Sequence, residues 1–487
     1  MDNWKLLIPE IALTFFAFGL LMADLWFERK KGQVLYHIGI LSTCVTLGIL
    51  GLSFSHPAHY QGIGSLWAVD TLSLFFKLLI LATTILVLAM TTEYRPTTDH
   101  TSLGTFTALV LLSAVGMMLL VSATNFLLIF LALELISISS FILVGYEYRD
   151  MKSSEGAIKY FMIGAFSSAV MVYGISLFYG AAGSTQLSAM PLITNPGQSI
   201  MFITACLFIL VGFGFKVSMA PFHFWVPDAY EGAPTPVTTF LSIAPKISAL
   251  AVMLRVFTGF IPHSALQLTG LFSILAVLTM TVGNLTAMFQ TNVKRLLAYS
   301  SIAQAGYMLI GFVTGDILGR QGIMVYSLVY VFMNVGAFAV ATVIGNEEGY
   351  ELDSFDGLYK RNFGLALVMS FFLLSLAGIP PLAGFIAKFY LFAAAIEGHF
   401  YWLAIFAVLN SVVSVFYYMR VAHHMFFREP KTERPVPVGF FMTSGIALAT
   451  IAIFVIGVFP EAFLSSIAST AKEFVPLSGL QVDRFLP

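Results

Sequence analysis

The chain has 487 residues, of which 58% are hydrophobic and only 10% charged, with a formal net charge of −1. A soluble domain carries roughly 25% charged residues, so a soluble globular fold and a disordered chain are both excluded. The balanced charge offers no basic field to a polyanion, which excludes a nucleic-acid binder.

A bilayer-spanning helix takes about 20 residues. Fourteen apolar stretches of about that length follow one another, near 5–27, 34–54, 70–92, 103–122, 124–146, 157–180, 199–221, 236–258, 264–289, 294–315, 321–344, 363–391, 399–427 and 437–465. The expected fold class is all-α: a polytopic membrane protein of about 14 transmembrane helices, with the lipid bilayer as its solvent. The first stretch holds Glu10 and Asp24 and ends in Trp26 and a basic cluster, unlike a cleaved signal peptide. All five tryptophans fall near expected span ends, as an aromatic belt would.

Orientation follows from Lys and Arg. With the N-terminus outside, the inside loops hold Arg29, Lys30, Lys31, Arg95, Arg149, Lys152, Lys294, Arg295, Lys360, Arg361, Arg428, Lys431 and Arg434. The outside segments hold only Lys5, Arg320, Lys472 and Arg484. This bias places positive charge inside, and an even number of spans puts the C-terminus outside as well.

Seven basic residues remain, all within spans: Lys77, Lys159, Lys216, Lys246, Arg255, Lys388 and Arg420. A charge at mid-bilayer costs about 2.5–3.5 kcal/mol on insertion scales. Arg255, Arg420 and Lys77 lie close enough to span ends to snorkel. Lys216, Lys246 and Lys388 sit deeper, and Glu134 is central in the fifth span. Any one of these could be half of an ion pair that fixes helix packing. Three central lysines with a central glutamate point instead to a proton path or a charged-substrate path. Burial favours the neutral form of a lysine and a nearby carboxylate the charged form. Moving a glutamate toward or away from a buried lysine would therefore load or unload a proton.

Two lysines lie beside helix breaks. In VGFGFKVSMAPFHFW, Lys216 precedes Pro221; in LLSLAGIPPLAGFIAKFY, Gly378, Pro380 and Pro381 precede Lys388. Proline removes a helical donor, and broken backbone at membrane depth is tolerated where it is buried in protein or lines a cavity. The breaks fall in spans seven and twelve. Broken helices at corresponding positions of two halves mark transporter repeats. Spans 4–8 and 9–13 are then two inverted five-helix repeats, with broken helices 7 and 12. The expected division is 1–102 (helices 1–3), 103–258 (first repeat), 259–427 (second repeat) and 428–487 (helix 14 and tail).

Cys44 and Cys206 stand far apart, and no Cys-x-x-Cys, Walker loop or dinucleotide fingerprint occurs. The chain offers no ligand set for a metal or iron–sulfur cluster and no nucleotide site of its own.

The segments LALELISISSFILVGY, FGFKVSMAPFHFWVPDAYEGAPTPVTTFLS, APKISAL, VKRLLAYSSIAQAGYML and LAGIPPLAGFIAKFYLF resemble the antiporter-like membrane subunits of respiratory complex I, the NADH-quinone oxidoreductase. Lys388, where another branch has glutamate, Gln304, where two branches usually have histidine, and the short C-terminal end resemble the N-type branch. The resemblance implies a proton-translocating subunit of a translocase in a bacterial inner membrane. Glu134 would be a mobile carboxylate, Lys216 a proton holder, Lys246 the link between halves, and Lys388 the group exchanging with the outside. Lys159 would modulate the Glu134–Lys216 pair, and His223 would relay protons or bond the broken helix. FMN, iron–sulfur clusters and quinone would reside in partner subunits, and the neighbours would be homologous antiporter-like and small membrane subunits. The alternatives within the same resemblance are a subunit of a multi-subunit Na⁺/H⁺ antiporter, of a related hydrogenase or of an F420H2 dehydrogenase.

Overall fold

The computed structural model describes residues 6–26, 33–53, 60–61, 66–95, 102–189, 196–260, 266–432 and 434–473. Lys5, Arg29, Lys30, Lys31, Arg484 and Trp4, used in the orientation argument, lie outside them. The chain opens with α1 (Ile8–Asp24) and α2 (Gln33–Ser53), then two short strands, β1 (Tyr60–Gln61) and β2 (Ala68–Val69), paired antiparallel ahead of α3 (Thr71–Thr91). Asp70 starts α3 by accepting from Ser73 N at 2.8 Å, while Ser73 Oγ accepts from Asp70 N at 3.0 Å. This reciprocal cap satisfies two donors that a helix start leaves orphaned.

Next come α4 (Leu103–Ser122), α5 (Phe126–Val144) and α6 (Met151–Ala182), capped by Ser102, Asn125 and Asp150. Helix α7 (Pro196–Val217) is followed by the short α8 (Val226–Gly232), then α9 (Thr235–Phe260), α10 (Leu266–Ala287), α11 (Val293–Thr314) and α12 (Ile317–Glu348). A 3-10 turn at Leu352–Phe355 and α13 (Leu358–Arg361) lead into α14 (Phe363–Ala377) and α15 (Ala383–Glu397). The last helices are α16 (Tyr401–Phe427), α17 (Phe440–Val458) and α18 (Glu461–Glu473).

Among the described residues, twelve helices are long and apolar enough to cross a membrane. The 17-residue α1 and the pair α14–α15, one span interrupted, account for the other two expected spans. Burial orders the bundle. Helix α9 is buried along Thr235–Phe257 and α11 almost throughout, whereas α6 and α17 bury only a third of theirs. Apolar helices buried all round form the core, and apolar faces left exposed meet lipid. Helices α10 and α11 approach so closely that a Cβ on Gly283 would lie 2.5 Å from Ala303 N, the close backbone contact that small residues permit in membranes.

Three of the charges expected to snorkel do not. Lys77 is 1% exposed and pairs with Glu10 of α1 at 2.5 Å. Arg255 is buried and forks onto Asp70, with Nη1 2.7 Å from Oδ2 and Nη2 2.5 Å from Oδ1, while its Nε donates to Val121 O at 2.9 Å. Arg420 donates to the carbonyls of Met288, at 2.7 Å, and Gln290 just past the end of α10. Lys77 and Arg255 are sealed in the bundle and meet carboxylates instead, whereas the partly exposed Arg420 is taken up by free carbonyls at the end of α10. The aromatic belt is also only partial. Trp26 is exposed, but Trp67 and Trp225 are buried, and Trp225 stacks on Tyr160 with ring centres 4.1 Å apart.

Removing one partner of a buried ion pair leaves an uncompensated charge, at about 3–5 kcal/mol. Lys77→Met should accordingly lower the melting temperature of the detergent-solubilised protein sharply. The double variant Glu10→Leu/Lys77→Met should recover most of that loss in the same thermal melt. A double variant no better than the single one would show that the pair does not hold α1 to α3.

Candidate functional site

The first break follows from its sequence. Pro221 cannot donate to the Val217 carbonyl, and α7 ends there. Ser218 takes a positive φ of 65°, Met219 N reaches back to Gly214 O at 2.8 Å, and Ala220 N donates to Thr279 Oγ1 of α10 at 3.1 Å. Lys216 thus stands in the last turn of an interrupted helix. Its Nζ is buried and has no hydrogen-bond partner. It faces the rings of Phe215 and Tyr160, 5.5 and 5.8 Å from their centres.

Glu134, on α5, lines the same small cavity as Lys216, together with Ser137, Ser167, Ser168 and Gly212. The carboxylate accepts from Ser168 Oγ at 2.5 Å. No ion pair within 4.0 Å joins it to Lys216. The cavity leaves about 10 Å³ for the centre of a water molecule, close to the minimum of about 10–15 Å³ that holds one water. Glu134 and Lys216 thus share a cavity sized for about one water.

Lys246 lies on α9, completely buried, one residue after Pro245. Its Nζ donates to Ser301 O at 3.1 Å and Ser301 Oγ at 2.8 Å, both on α11. The second break exposes the carbonyl end of α14. Gly378 closes that helix in the left-handed region at φ 85°, and the freed carbonyls draw donors, as helix ends require. Leu376 O accepts from Gln304 Nε2 at 3.1 Å. Ala377 O accepts from Lys388 Nζ at 2.9 Å and Ser411 Oγ at 3.1 Å. Lys388 also donates to Ser411 Oγ at 2.9 Å and faces the Tyr307 ring, 4.6 Å from its centre.

Gln304 sits between the two lysines. Its Oε1 accepts from the Tyr326 hydroxyl, and its Nε2 donates to the Tyr418 hydroxyl at 3.1 Å, itself 2.6 Å from Ser300 Oγ. Helix α11 thus carries Ser301 against Lys246, and Gln304 against the carbonyl end of α14 beside Lys388. A primary amide does not titrate, whereas hydroxyls both donate and accept. Reading the sequence singled out neither Ser301, Tyr326, Ser411 nor Tyr418. The polar residues of SSIAQAGY at helical spacing inside an apolar span were the available signal.

Lys159 is not part of this constellation. It is 43% exposed and pairs with Glu155 at 2.6 Å and Asp228 of α8 at 2.7 Å. Asp228 also meets Arg295 at 2.7 Å, and Glu231 meets Arg295 and Lys152, each at 2.8 Å. Burial pushes the Asp228 and Glu231 carboxyls up, but the bonds and charges of Lys159, Lys152 and Arg295 outweigh it and hold both below the ordinary carboxylate range. These ion pairs moor α8 to α6 and α11. His223, inside the break, is buried against Phe224 and its Nδ1 has no partner.

Among the described residues, Asp353, Asp356 and His424 form the one close group of metal-ligating side chains. His424 Nδ1 lies 2.6 Å from Asp356, and Arg428 and Lys431 already approach these carboxylates. The chain's own cations thus already supply positive charge to these carboxylates.

The family described as NADH:quinone oxidoreductase/Mrp antiporter, TM, matches residues 123–414. The chain is 40% identical over 487 residues to the NADH-quinone oxidoreductase subunit N of Trichlorobacter lovleyi, covering 98% of this chain and 97% of that one. Its fold superposes on a chain of respiratory complex I from Thermus thermophilus with bound aureothin at a TM-score of 0.81 and 34% identity, covering 95% and 100% of the two chains. A chain of the Mrp complex from Dietzia sp. gives a TM-score of 0.83 at 18% identity over 97% and 99%, a likeness of fold.

A Cβ at Gly378 would meet Lys388 Cδ at 2.7 Å, and a left-handed backbone costs a non-glycine residue about 1–2 kcal/mol. Gly378→Ala should lower thermal stability by about that amount. Gly364→Ala in the same helix, where a Cβ meets nothing closer than 3.5 Å, should be neutral or stabilising in the same melt. Equal behaviour of the two variants would show that the break does not constrain Lys388.

Proposed function

The chain belongs to the NADH:quinone oxidoreductase/Mrp antiporter transmembrane family, and we infer that it works as the N-type, proton-translocating membrane subunit of an NADH-quinone oxidoreductase. Electron transfer proceeds in partner subunits, which carry the FMN, iron–sulfur clusters and quinone. Neighbouring antiporter-like and small membrane subunits pack against this chain in a bacterial inner membrane, with both termini on the periplasmic side. Helices α4–α9 and α10–α16 form two inverted units, in keeping with breaks five spans apart.

The observation that carries this reading is the polar line through an otherwise apolar core. Glu134 and Lys216 share one cavity, and α11 joins Lys246 to the Lys388 break. Intramembrane charges are expensive and mark ion or proton paths. Glu134 moves relative to Lys216 and sets whether that lysine keeps its proton. Lys246 passes charge to the second unit. Lys388 releases its proton to the outside when Lys246 becomes charged, since like charges disfavour each other. Each proton expelled works against about 2.3 kcal/mol per 100 mV of membrane potential. Lys159 acts at a distance by mooring α8 beside the first break, and His223 is the secondary carrier at that break.

A sodium-translocating, Mrp-type role would want several oxygen ligands, as hard cations do. The cavity offers one carboxylate and serine hydroxyls, which favours protons.

The test is proton uptake in inverted vesicles, normalised to assembled complex. Lys216→Ala and Glu134→Ala should each lower uptake on the order of tenfold or more, since a positioned acid–base group contributes about 10²–10⁴. Glu134→Asp should retain more activity than Glu134→Ala. Lys388→Arg should assemble yet pump poorly, because arginine does not deprotonate in proteins, while the titratable Lys388→Glu keeps part of the activity. Wild-type pumping by assembled Lys388→Arg would make Lys388 a structural charge and remove the exit.

A further inference from the structure

Helix α9 is both the most buried span and one with a proline in its interior. Pro245 has no N–H, so the Leu241 carbonyl loses its helical donor. In a bilayer that carbonyl needs a partner from the protein. It comes from another helix: the Tyr230 hydroxyl of α8 donates to Leu241 O at 3.0 Å. The next carbonyl, Ser242 O, receives the Tyr330 hydroxyl of α12 at 3.1 Å. Both tyrosines are fully buried. The Tyr230 ring also faces Lys246 Nζ, 5.8 Å from its centre, and Thr238 Oγ1 of α9 donates to Tyr230 O at 2.8 Å.

The kink that aims Lys246 is therefore held from two sides. One side is α8, which begins nine residues after the end of α7 at Val217 and is moored by ion pairs to α6 and α11. The other is α12. Each hydroxyl donates to a backbone carbonyl, a group that does not titrate.

We propose that Tyr230 and Tyr330 are positioning residues that clamp the Pro245 kink, fix the Lys246 ammonium on Ser301, and transmit any displacement of α8 at the Lys216 break to Lys246. This rests on the place given above to Lys246 in the relay.

The test uses the whole assembled complex in membranes, with Tyr230→Phe, Tyr330→Phe, Pro245→Ala, Pro245→Ala/Tyr230→Phe and Lys246→Ala. Proton uptake per assembled complex is measured, and deuterium uptake is followed in peptides covering 241–250. Tyr230→Phe and Tyr330→Phe should each assemble, pump about two- to tenfold less, the range one neutral hydrogen bond supports, and exchange faster in that segment. In the Pro245→Ala background the new N–H supplies Leu241 with its donor, so adding Tyr230→Phe should change pumping little. An undiminished loss in that background would make the hydroxyl a proton carrier and overturn the clamp. If Pro245→Ala itself does not pump, exchange decides: faster exchange in Tyr230→Phe supports the clamp and unchanged exchange overturns it. Lys246→Ala separates the two readings. Wild-type pumping there defeats the relay, whereas an inactive Lys246→Ala beside a normal Tyr230→Phe defeats only the clamp.

Discussion

A backbone carbonyl at membrane depth has no water to bond, so it takes a donor from the protein. Much of this molecule follows from that one requirement. A proline or glycine that interrupts a helix frees carbonyls, and at two places those carbonyls draw polar side chains into the apolar bundle. At the second break, Leu376 and Ala377 draw Gln304, Lys388 and Ser411. At the Pro245 kink, Leu241 draws Tyr230. The breaks therefore do more than bend helices. The second break creates the acceptor that keeps Lys388 inside the core without pairing it to a carboxylate.

That distinguishes two kinds of buried charge. Lys77 and Arg255 face carboxylates at short range and tie α1 and α9 to α3 and its cap. Such pairs lower the cost of a buried ion but leave it nowhere to go. Lys246 and Lys388 bond only neutral oxygens, and Lys216 bonds none. A lysine held by neutral acceptors can lose its proton without breaking an ion pair, which suits a carrier better than a strut.

The sequence was most legible where composition and spacing act alone. Apolar run length located the twelve helices long enough to cross a membrane, and proline with glycine located both breaks. The deep lysines and Glu134 stood out because charge is rare in apolar runs. Tertiary partners were harder. Lys77, Arg255 and Arg420 read as snorkelling because distance along a helix says nothing of the neighbour that shields it. The ion pairs of Lys159, a residue expected to modulate the Glu134–Lys216 pair, with Glu155 and Asp228 were not legible either. Tyrosines such as Tyr330 and Tyr418 pass for apolar bulk until the polar groups they meet are known.

The ring of charges around α8 sets this short helix apart from everything beneath it. Lys152, Lys159, Asp228, Glu231 and Arg295 are all partly open to solvent, whereas the Glu10–Lys77 and Asp70–Arg255 pairs are sealed. Mobile ions screen exposed charges over a Debye length of about 8 Å at physiological ionic strength and reach buried pairs far less. Ionic strength thus acts on one joint of this membrane protein and spares its frame: added salt slackens the moorings of α8 while the bundle stays locked.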